Sequence, residues 1–181
     1  MAAPGGAMAS AVLCLDFEAS GLGPQTYPIE VALADPASGH VTSWLIKPAP
    51  AWREHGDWQA EAEALHGLSR AQIEAEGLPV ATVAAELTAA ASGAVILSDA
   101  PAHDGQWLRL LYRAVGLDRP PFELGDFGRF AWQCASRAGR RPDIAYVKAE
   151  AEAWALFPVT HRAAADARHN AEILRQIGLS V

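Results

Sequence analysis

Two short apolar stretches limit what this chain can fold into, because each is typical of a buried strand and each runs into acidic residues. The first is LCLDFEA, with Asp16 and Glu18 at alternate positions, and the second is AVILSD, which precedes Asp104. Strand side chains alternate between the two faces of a sheet, so Asp16 and Glu18 lie on one face. Acids at the ends of two such strands emerge at one edge of the sheet, where α/β proteins commonly bind ligands.

The order of the other elements predicts an α/β fold. The segments PIEVALAD and VTSWLIKP flank the turn PASGH and predict a hairpin after the first strand. Helical patterns begin at Trp58, include a capping box at Ser69 and Gln72 and a further helix that begins at Pro79, and resume after AVILSD. The segment PPFELGDF supplies a fifth strand. We therefore expect a mixed five-stranded sheet flanked by helices, with the first strand near its centre.

Composition and charge narrow the class of protein. The 181 residues suit one domain, which we place at residues 10–181 after a disordered tail at residues 1–9. The formal charge of −7 provides no broad basic surface for non-specific duplex binding. No apolar stretch is long enough to span a bilayer, so we expect no membrane partner. Cys14 and Cys134 resemble reduced core residues, which predicts a cytoplasmic location.

Three acidic segments together predict a metal centre: DFE at 16–18, SDAPAHDGQWL at 98–108 and HRAAAD at 161–166. Each alone is more typical of an edge-strand charge pair, a helix cap or a surface salt bridge. If the three segments converge, two carboxylates about 4 Å apart repel by about 4 kcal/mol, so the cluster requires cations. Oxygen ligands suit Mg²⁺ or Mn²⁺, and two such ions can support phosphodiester cleavage. The candidate ligands are Asp16, Glu18, Asp104 and Asp166.

Two other residues of these segments have different interpretations. Asp99 is interpreted as a turn or cap residue. His161 is the candidate general base: it lies five residues before Asp166, about 140° around an ideal helix, so the two do not share a helical face. A histidine on a loop or first turn can reach the attacking water, and its usual pKa suits a base at neutral pH. The alternative is a helix-start histidine hydrogen-bonded to the backbone.

These motifs resemble those of the DEDDh 3′–5′ exonucleases, the family of ribonuclease T, oligoribonuclease and the proofreading subunit of bacterial DNA polymerase III. LDFEASGL, APAHDGQWL and HRAAADA match the family motifs in order and spacing. The resemblance implies a ribonuclease H-like fold, two Mg²⁺ or Mn²⁺ on the four carboxylates, and His161 as general base. It implies release of nucleoside 5′-monophosphates from the 3′ ends of single-stranded RNA or DNA, with RNA slightly favoured.

The resemblance also implies contacts with the terminal nucleotide. Leu22 occupies the position of an apolar wedge against the terminal base, and ALHGLS places His66 near the nucleotide pocket. The alternatives are a turn leucine that returns to the core and a histidine that ends a helix. The second motif departs from the family at Ala100, where relatives carry Asn, and at His103, where they carry an aromatic residue. Neither departure removes a metal ligand.

Other candidate contacts with nucleic acid are cationic or aromatic. The cations are Arg162, Arg140, Arg141 and Lys148, although such a set is more often solvated surface. Exposed tryptophans supply base stacking, and the candidates are Trp52 and Trp58 in the irregular segment expected after the hairpin. We expect Trp107, Trp132 and Trp154 to pack in helices.

Two other functional classes fit parts of the sequence. One is a catalytically silent nucleic-acid-binding or adaptor protein on the same fold. The other is a mononuclear Zn²⁺ hydrolase that uses His161, Asp166 and His169, which leaves the strand carboxylates unexplained. By resemblance alone, a homodimer in which the partner completes the substrate path is a further hypothesis.

Overall fold

A mixed sheet of six strands forms the centre of the structure. The computed structural model describes residues 10–179, and the tail expected at residues 1–9 lies outside these residues. The strands are β1 Val12–Ala19, β2 Pro28–Ala34, β3 Val41–Lys47, β4 Leu78–Pro79, β5 Val95–Ser98 and β6 Leu124–Asp126. Their order is β4-β3-β2-β1-β5-β6, so β1 is an interior strand, as predicted. β1, β2 and β3 are antiparallel neighbours, whereas β5 runs parallel to β1.

Helices cover both faces of this sheet within residues 10–179. The helical segments predicted after Trp58 are all present. The segment at Pro50–His55, which we expected to be irregular, instead forms a short helix that begins at its proline. The helices are α1 Pro50–His55, α2 Ala60–His66, α3 Arg70–Glu76, α4 Val80–Ala91, α5 Pro101–Arg113, α6 Phe127–Arg137, α7 Pro142–Leu156 and α8 Ala163–Ile177.

The strand that the sequence did not predict is β4. Its two residues pair in parallel with the end of β3, with Leu78 opposite Ile46 and Pro79 opposite Lys47. A proline before an apolar run is typical of a helix start, and we expected the helix to begin at Pro79. Pro79 is the N-cap of α4 instead, and extended backbone immediately before that helix adds the short edge strand.

Alternate side chains of β1 pack into two different apolar layers. Val12 and Cys14 pack with residues of α6, α7 and α8. Leu15 and Phe17 face the other way and pack with residues of α4 and α5. Asp16 and Glu18 continue the face of Val12 and Cys14, because strand positions two apart share a face. The fold therefore brings both acids to the side of the sheet that α8 covers.

Two further predictions concern the state of the cysteines and the presence of a membrane-spanning segment. Cys14 and Cys134 are buried free thiols, as predicted, and burial raises the pKa of the Cys14 thiol. Within residues 10–179, no helix combines the length and the apolar character needed to cross a membrane.

Candidate metal centre and substrate cleft

Asp104 reaches the end of β1 from the neighbouring strand. It lies in the first turn of α5, which follows β5, and only 3% of it is exposed. The hydroxyl of Ser98, the last residue of β5, donates a hydrogen bond of 2.5 Å to Asp104 Oδ2 and accepts one of 3.0 Å from the backbone N–H of Ala100. A buried serine thus fixes both the Asp104 carboxylate and the turn between β5 and α5.

Asp166 reaches the same edge from α8. Ala163 and Ala167 are fully buried against the sheet, so α8 packs closely on β1 and β2. The Asp166 carboxylate lies in the first turn of the helix and accepts a hydrogen bond of 2.9 Å from the backbone N–H of Thr160. Small residues along α8 therefore place this acid over the acidic end of β1.

Glu30 ties the start of α8 to the sheet, a role that the sequence pattern did not reveal. It lies on β2, opposite Glu18, and is buried. Its carboxylate accepts hydrogen bonds from Arg162 Nε at 3.0 Å and Nη2 at 2.9 Å, and from the backbone N–H of Ala163 at 3.1 Å. A carboxylate at a helix N-terminus also interacts favourably with the helix dipole. Glu30 and Arg162 therefore fix the segment that carries His161.

The acids form two groups that share one residue. Carboxylate oxygens of Asp16, Glu18 and Asp166 lie within 4.8 Å of one another, and so do those of Asp16, Asp99 and Asp104. All four carboxylates predicted from the sequence are thus brought together. Asp99 joins them from the bend between β5 and α5, which agrees with its interpretation as a turn residue, whereas the N-cap of α5 is Ala100 and no side chain caps that helix.

The pairing of β1 with β5 could have identified Asp99. Cys14 is opposite Leu97 in this parallel pair, so continuing the register by two residues places Asp99 opposite Asp16. Aligning the ends of LCLD and VILSD as neighbouring parallel strands gives the same pairing. The sequence contained that signal, because VILSD ends on Asp99 as LCLD ends on Asp16.

Burial and mutual repulsion raise the pKa values of Asp16, Glu18, Asp104 and Asp166. Burial is the largest cause throughout, and it raises the pKa of Glu18 to about 8 and that of Asp104 to about 7. The pKa of Asp16 is well above its usual range, because of burial and then the charges of Asp104 and Glu18. A cluster of oxygen donors that resists carrying its own charge fits divalent cations such as Mg²⁺ or Mn²⁺, which neutralise it.

His161 lies on the segment before α8, as expected for a loop histidine. It is exposed, and its φ of 55° is the only positive value at a non-glycine residue in the described part of the chain. Such a conformation is uncommon for histidine and persists where neighbouring structure enforces it. Here the Thr160–Asp166 hydrogen bond on one side and the Arg162–Glu30 pair on the other enforce it.

The zinc hypothesis fails at His169. That residue is buried, its Nδ1 lies 2.8 Å from the carbonyl oxygen of Phe157, and its ring packs against the edge of Trp154. The two potential metal-binding groups found within residues 10–179 contain carboxylates and no histidine. His169 is therefore part of the packing of α7 against α8.

A cleft of about 230 Å³ opens beside Asp16, Glu18 and Asp104 and is also lined by Leu22 and His66. His66 ends α2 before Gly67, as the alternative interpretation held, and yet its buried ring lines the cleft. Burial lowers the pKa of His66, so the ring is neutral at pH 7. Both candidate nucleotide contacts thus lie at the cleft.

Leu22 projects into solvent and does not return to the core, since 71% of it is exposed. Gln59 holds its backbone, accepting a hydrogen bond of 2.9 Å from the Leu22 N–H and donating one of 3.2 Å to the Leu22 carbonyl. A Cβ at Gly21 would overlap the Gln59 side chain, so the glycine permits this contact. The loop holds an exposed apolar side chain in a defined position.

The tryptophan predictions are largely wrong. Trp52 stacks on Tyr27 with ring centroids 5.8 Å apart, and Trp58 packs beside the same tyrosine and donates to Glu63, so neither is a free stacking surface. Trp132 and Trp154, expected to pack, are 53% and 48% exposed. Trp107 is buried as expected, and Trp154 packs only in part, through its contact with His169. The helical pattern located these side chains on helices but did not show which helical faces lack a neighbour.

The remaining candidate cations lie apart from this cleft. Arg140, Arg141 and Lys148 line a second depression, between the α6–α7 connection and the end of α8, which shares no residue with the cleft beside Asp16. Arg141 pairs with Asp143, and Lys148 lies near Glu152. This arrangement matches solvated surface, the alternative interpretation of these residues.

Solved structures of exonuclease I have a similar arrangement of the backbone. A zinc-bound complex of E. coli exonuclease I with single-stranded DNA matches with a TM-score of 0.65 and 19% identity over 93% of this chain. Exonuclease I from Methylocaldum szegediense matches with a TM-score of 0.66 and 18% identity, also over 93%. The chain has a ribonuclease H-like fold.

The match leaves much of those proteins uncovered. This chain spans 40% of the length of each of the two exonuclease I chains. No protein-family model and no curated protein matches the sequence. At 18% and 19% identity, the likeness establishes the fold, and the activity has to be argued from the site.

Proposed function

We propose that this protein is a metal-dependent 3′–5′ exonuclease that releases nucleoside 5′-monophosphates from single-stranded RNA or DNA. The observation that carries the proposal is the pair of carboxylate groups that share Asp16 at the edge of the sheet, beside a cleft rimmed by Leu22 and His66. The fold is consistent with it, because the solved structures that share it include exonucleases crystallised with single-stranded DNA.

The donor set supports two divalent cations, Mg²⁺ or Mn²⁺, one in each group. When bound, two such ions lower the pKa of an attacking water and stabilise the leaving 3′ oxygen. In this proposal Asp16 serves both groups, Glu18 and Asp166 complete one, and Asp104 belongs to the other.

Side chains around these acids accept the proton of the attacking water and bind the substrate. His161 accepts the proton of the attacking water on a ring nitrogen. Leu22 packs against the terminal base, and His66 contacts the terminal nucleotide from the cleft wall. The Arg162 side chain is 41% exposed despite its pair with Glu30, so it can still contact a phosphate.

The test is a cleavage ladder on 5′-labelled single-stranded RNA and DNA of the same sequence, with Mn²⁺ or with EDTA. We expect stepwise shortening from the 3′ end that EDTA and Asp16→Asn abolish. Asp118→Asn is the matched control, since Asp118 is an exposed acid outside both groups. The resemblance slightly favours RNA, and the polymer that is cleaved faster identifies the preferred substrate. Oligomers that stay intact while the protein binds them would instead indicate the silent binding protein.

The role of His161 is tested separately from metal binding. We expect His161→Gln to slow cleavage by about 10²–10⁴-fold, the usual contribution of a general base, with Mn²⁺ binding unchanged. A variant that cleaves at the normal rate contradicts this role.

The homodimer and the cytoplasmic location remain predictions, and sedimentation of the purified protein tests the first.

A further inference from the structure

We propose that Asp99 is a ligand of the second metal ion, so that the free enzyme binds both ions before nucleic acid arrives. The inference rests on the proposed function and concerns the group formed by Asp16, Asp99 and Asp104.

The position of Asp99 follows from the sheet itself. The pairing of β1 with β5 ends at Cys14 and Leu97, and Asp99 is the first residue after β5, two positions beyond Leu97 as Asp16 is two positions beyond Cys14. Neighbouring strands are about 4.8 Å apart, so acids at these matching positions lie on adjacent segments of the chain. In the structure the three carboxylates have oxygens within 4.8 Å of one another.

Ser98 makes this position fixed rather than incidental. Its hydroxyl donates to Asp104 and accepts the N–H of Ala100, so hydrogen bonds hold the residues on both sides of Asp99. The hydrogen bond from Ser98 occupies Asp104 Oδ2, so Asp104 has one oxygen free to bind a metal ion. The Asp99 carboxylate has no hydrogen bond or ion pair among the described residues, so both of its oxygens are free to bind the same ion.

The number of carboxylates around the second ion determines whether that ion needs a substrate phosphate to bind. Mg²⁺ and Mn²⁺ bound by only one or two carboxylates commonly complete their coordination with substrate phosphates. A third carboxylate adds a negative charge, and a bound cation relieves its repulsion of Asp16 and Asp104. Asp99 is exposed, so it can bind an ion at a small cost of desolvation. The second ion therefore binds without help from a phosphate.

The experiment counts Mn²⁺ bound to the full chain without nucleic acid, from the electron paramagnetic resonance signal of the unbound ion. We expect two Mn²⁺ per wild-type chain. Asp99→Asn and Asp99→Ala should leave one of them unchanged and weaken the other by at least about tenfold. Asp118→Asn, with the same change in charge, should bind two like the wild type.

Several outcomes would overturn the inference. Asp99 variants that bind two Mn²⁺ with wild-type affinity contradict it, and so does a wild type that binds one Mn²⁺ yet cleaves oligonucleotides. The proposed function fails in a different way, by the absence of both Mn²⁺ binding and cleavage in the wild type. Unfolding in EDTA shows that the variants fold: their melting temperatures should equal or exceed that of the wild type, since the substitution removes repulsion.

Discussion

The two halves of the acidic centre are built in different ways. The Asp104 half comes from one short stretch, residues 98–104, which a single serine hydroxyl organises. The Asp166 half depends on contacts between distant parts of the chain, because α8 must dock on the sheet and Glu30 of β2 must hold Arg162, 132 residues away. One half is therefore formed by contacts close in sequence, and the other depends on the whole tertiary structure.

This difference predicts how each half fails. Damage to the local half should change one ligand and leave the fold nearly intact. Damage to the distant half should loosen α8, and with it both Asp166 and the segment of His161. Asp16 belongs to both halves, so its loss should affect both at once.

Asp16→Asn should have the largest effect on activity. It removes the one carboxylate common to both groups, so cleavage should fall by at least about 10³-fold and binding of both Mn²⁺ ions should weaken. The metal-free protein should melt at a higher temperature than the wild type, because a buried repulsion is gone. Single-turnover cleavage and thermal unfolding in EDTA measure the two effects. Loss of only one Mn²⁺ would contradict the shared role.

Glu30→Gln breaks the tie between α8 and the sheet. We expect the free energy of unfolding to fall by about 2 kcal/mol, less than for a fully buried pair because Arg162 is partly exposed. That loss corresponds to a melting temperature lower by about 4–8 °C. Cleavage should fall as well, since Asp166 and His161 lose their support. Glu123→Gln, at an exposed position, is the control, and equal melting temperatures for the two variants would refute the role of Glu30.

Ser98→Ala disturbs the local half. It removes two hydrogen bonds, so we expect a loss of about 1 kcal/mol in stability and a reduction of about tenfold in cleavage. The Ser98 hydrogen bond lowers the pKa of Asp104, so without it the rise of cleavage with pH should move to higher pH. Ser92→Ala, at an exposed serine, should leave both properties unchanged. An unaltered pH profile for Ser98→Ala would contradict the account.

The effect furthest from catalysis is a pH dependence of the metal-free protein. The folded-state pKa values of about 8 for Glu18 and about 7 for Asp104 exceed those of unfolded acids, which are about 4. Their protonation stabilises the fold fully below about pH 4, and this contribution is lost as pH rises through 7 and 8. The melting temperature in EDTA should therefore fall by at least about 2 °C between pH 5 and 8. Saturating Mn²⁺ should remove this fall, and a constant melting temperature in EDTA would contradict the raised pKa values.

Much of the fold could be predicted from local pattern. The alternation of LCLDFEA placed Asp16 and Glu18 on one face, and the apolar run VILS with the helix after it placed Asp104 at the same edge. These strand features depend on periodicity and on chain direction, which a sequence displays directly. Asp166 on the last helix came from the acidic segment HRAAAD and from the resemblance of the motifs to a known family.

The rest depends on pairings that local pattern does not display. Glu30 looks like one more acid in an apolar strand, and its partner Arg162 lies far away in sequence. The exposure of Trp132 and Trp154 depends on which helical faces lack a neighbour. Asp99 falls between these cases, because the register of β1 against β5 could have been proposed from the sequence.

The most direct test of the central claim is an anomalous-difference map from crystals of the protein grown or soaked with Mn²⁺. The account predicts two peaks that share Asp16 as a ligand, one also bound by Glu18 and Asp166 and the other by Asp104. A single peak, or manganese bound away from Asp16, would contradict a centre made of two carboxylate groups that share one residue.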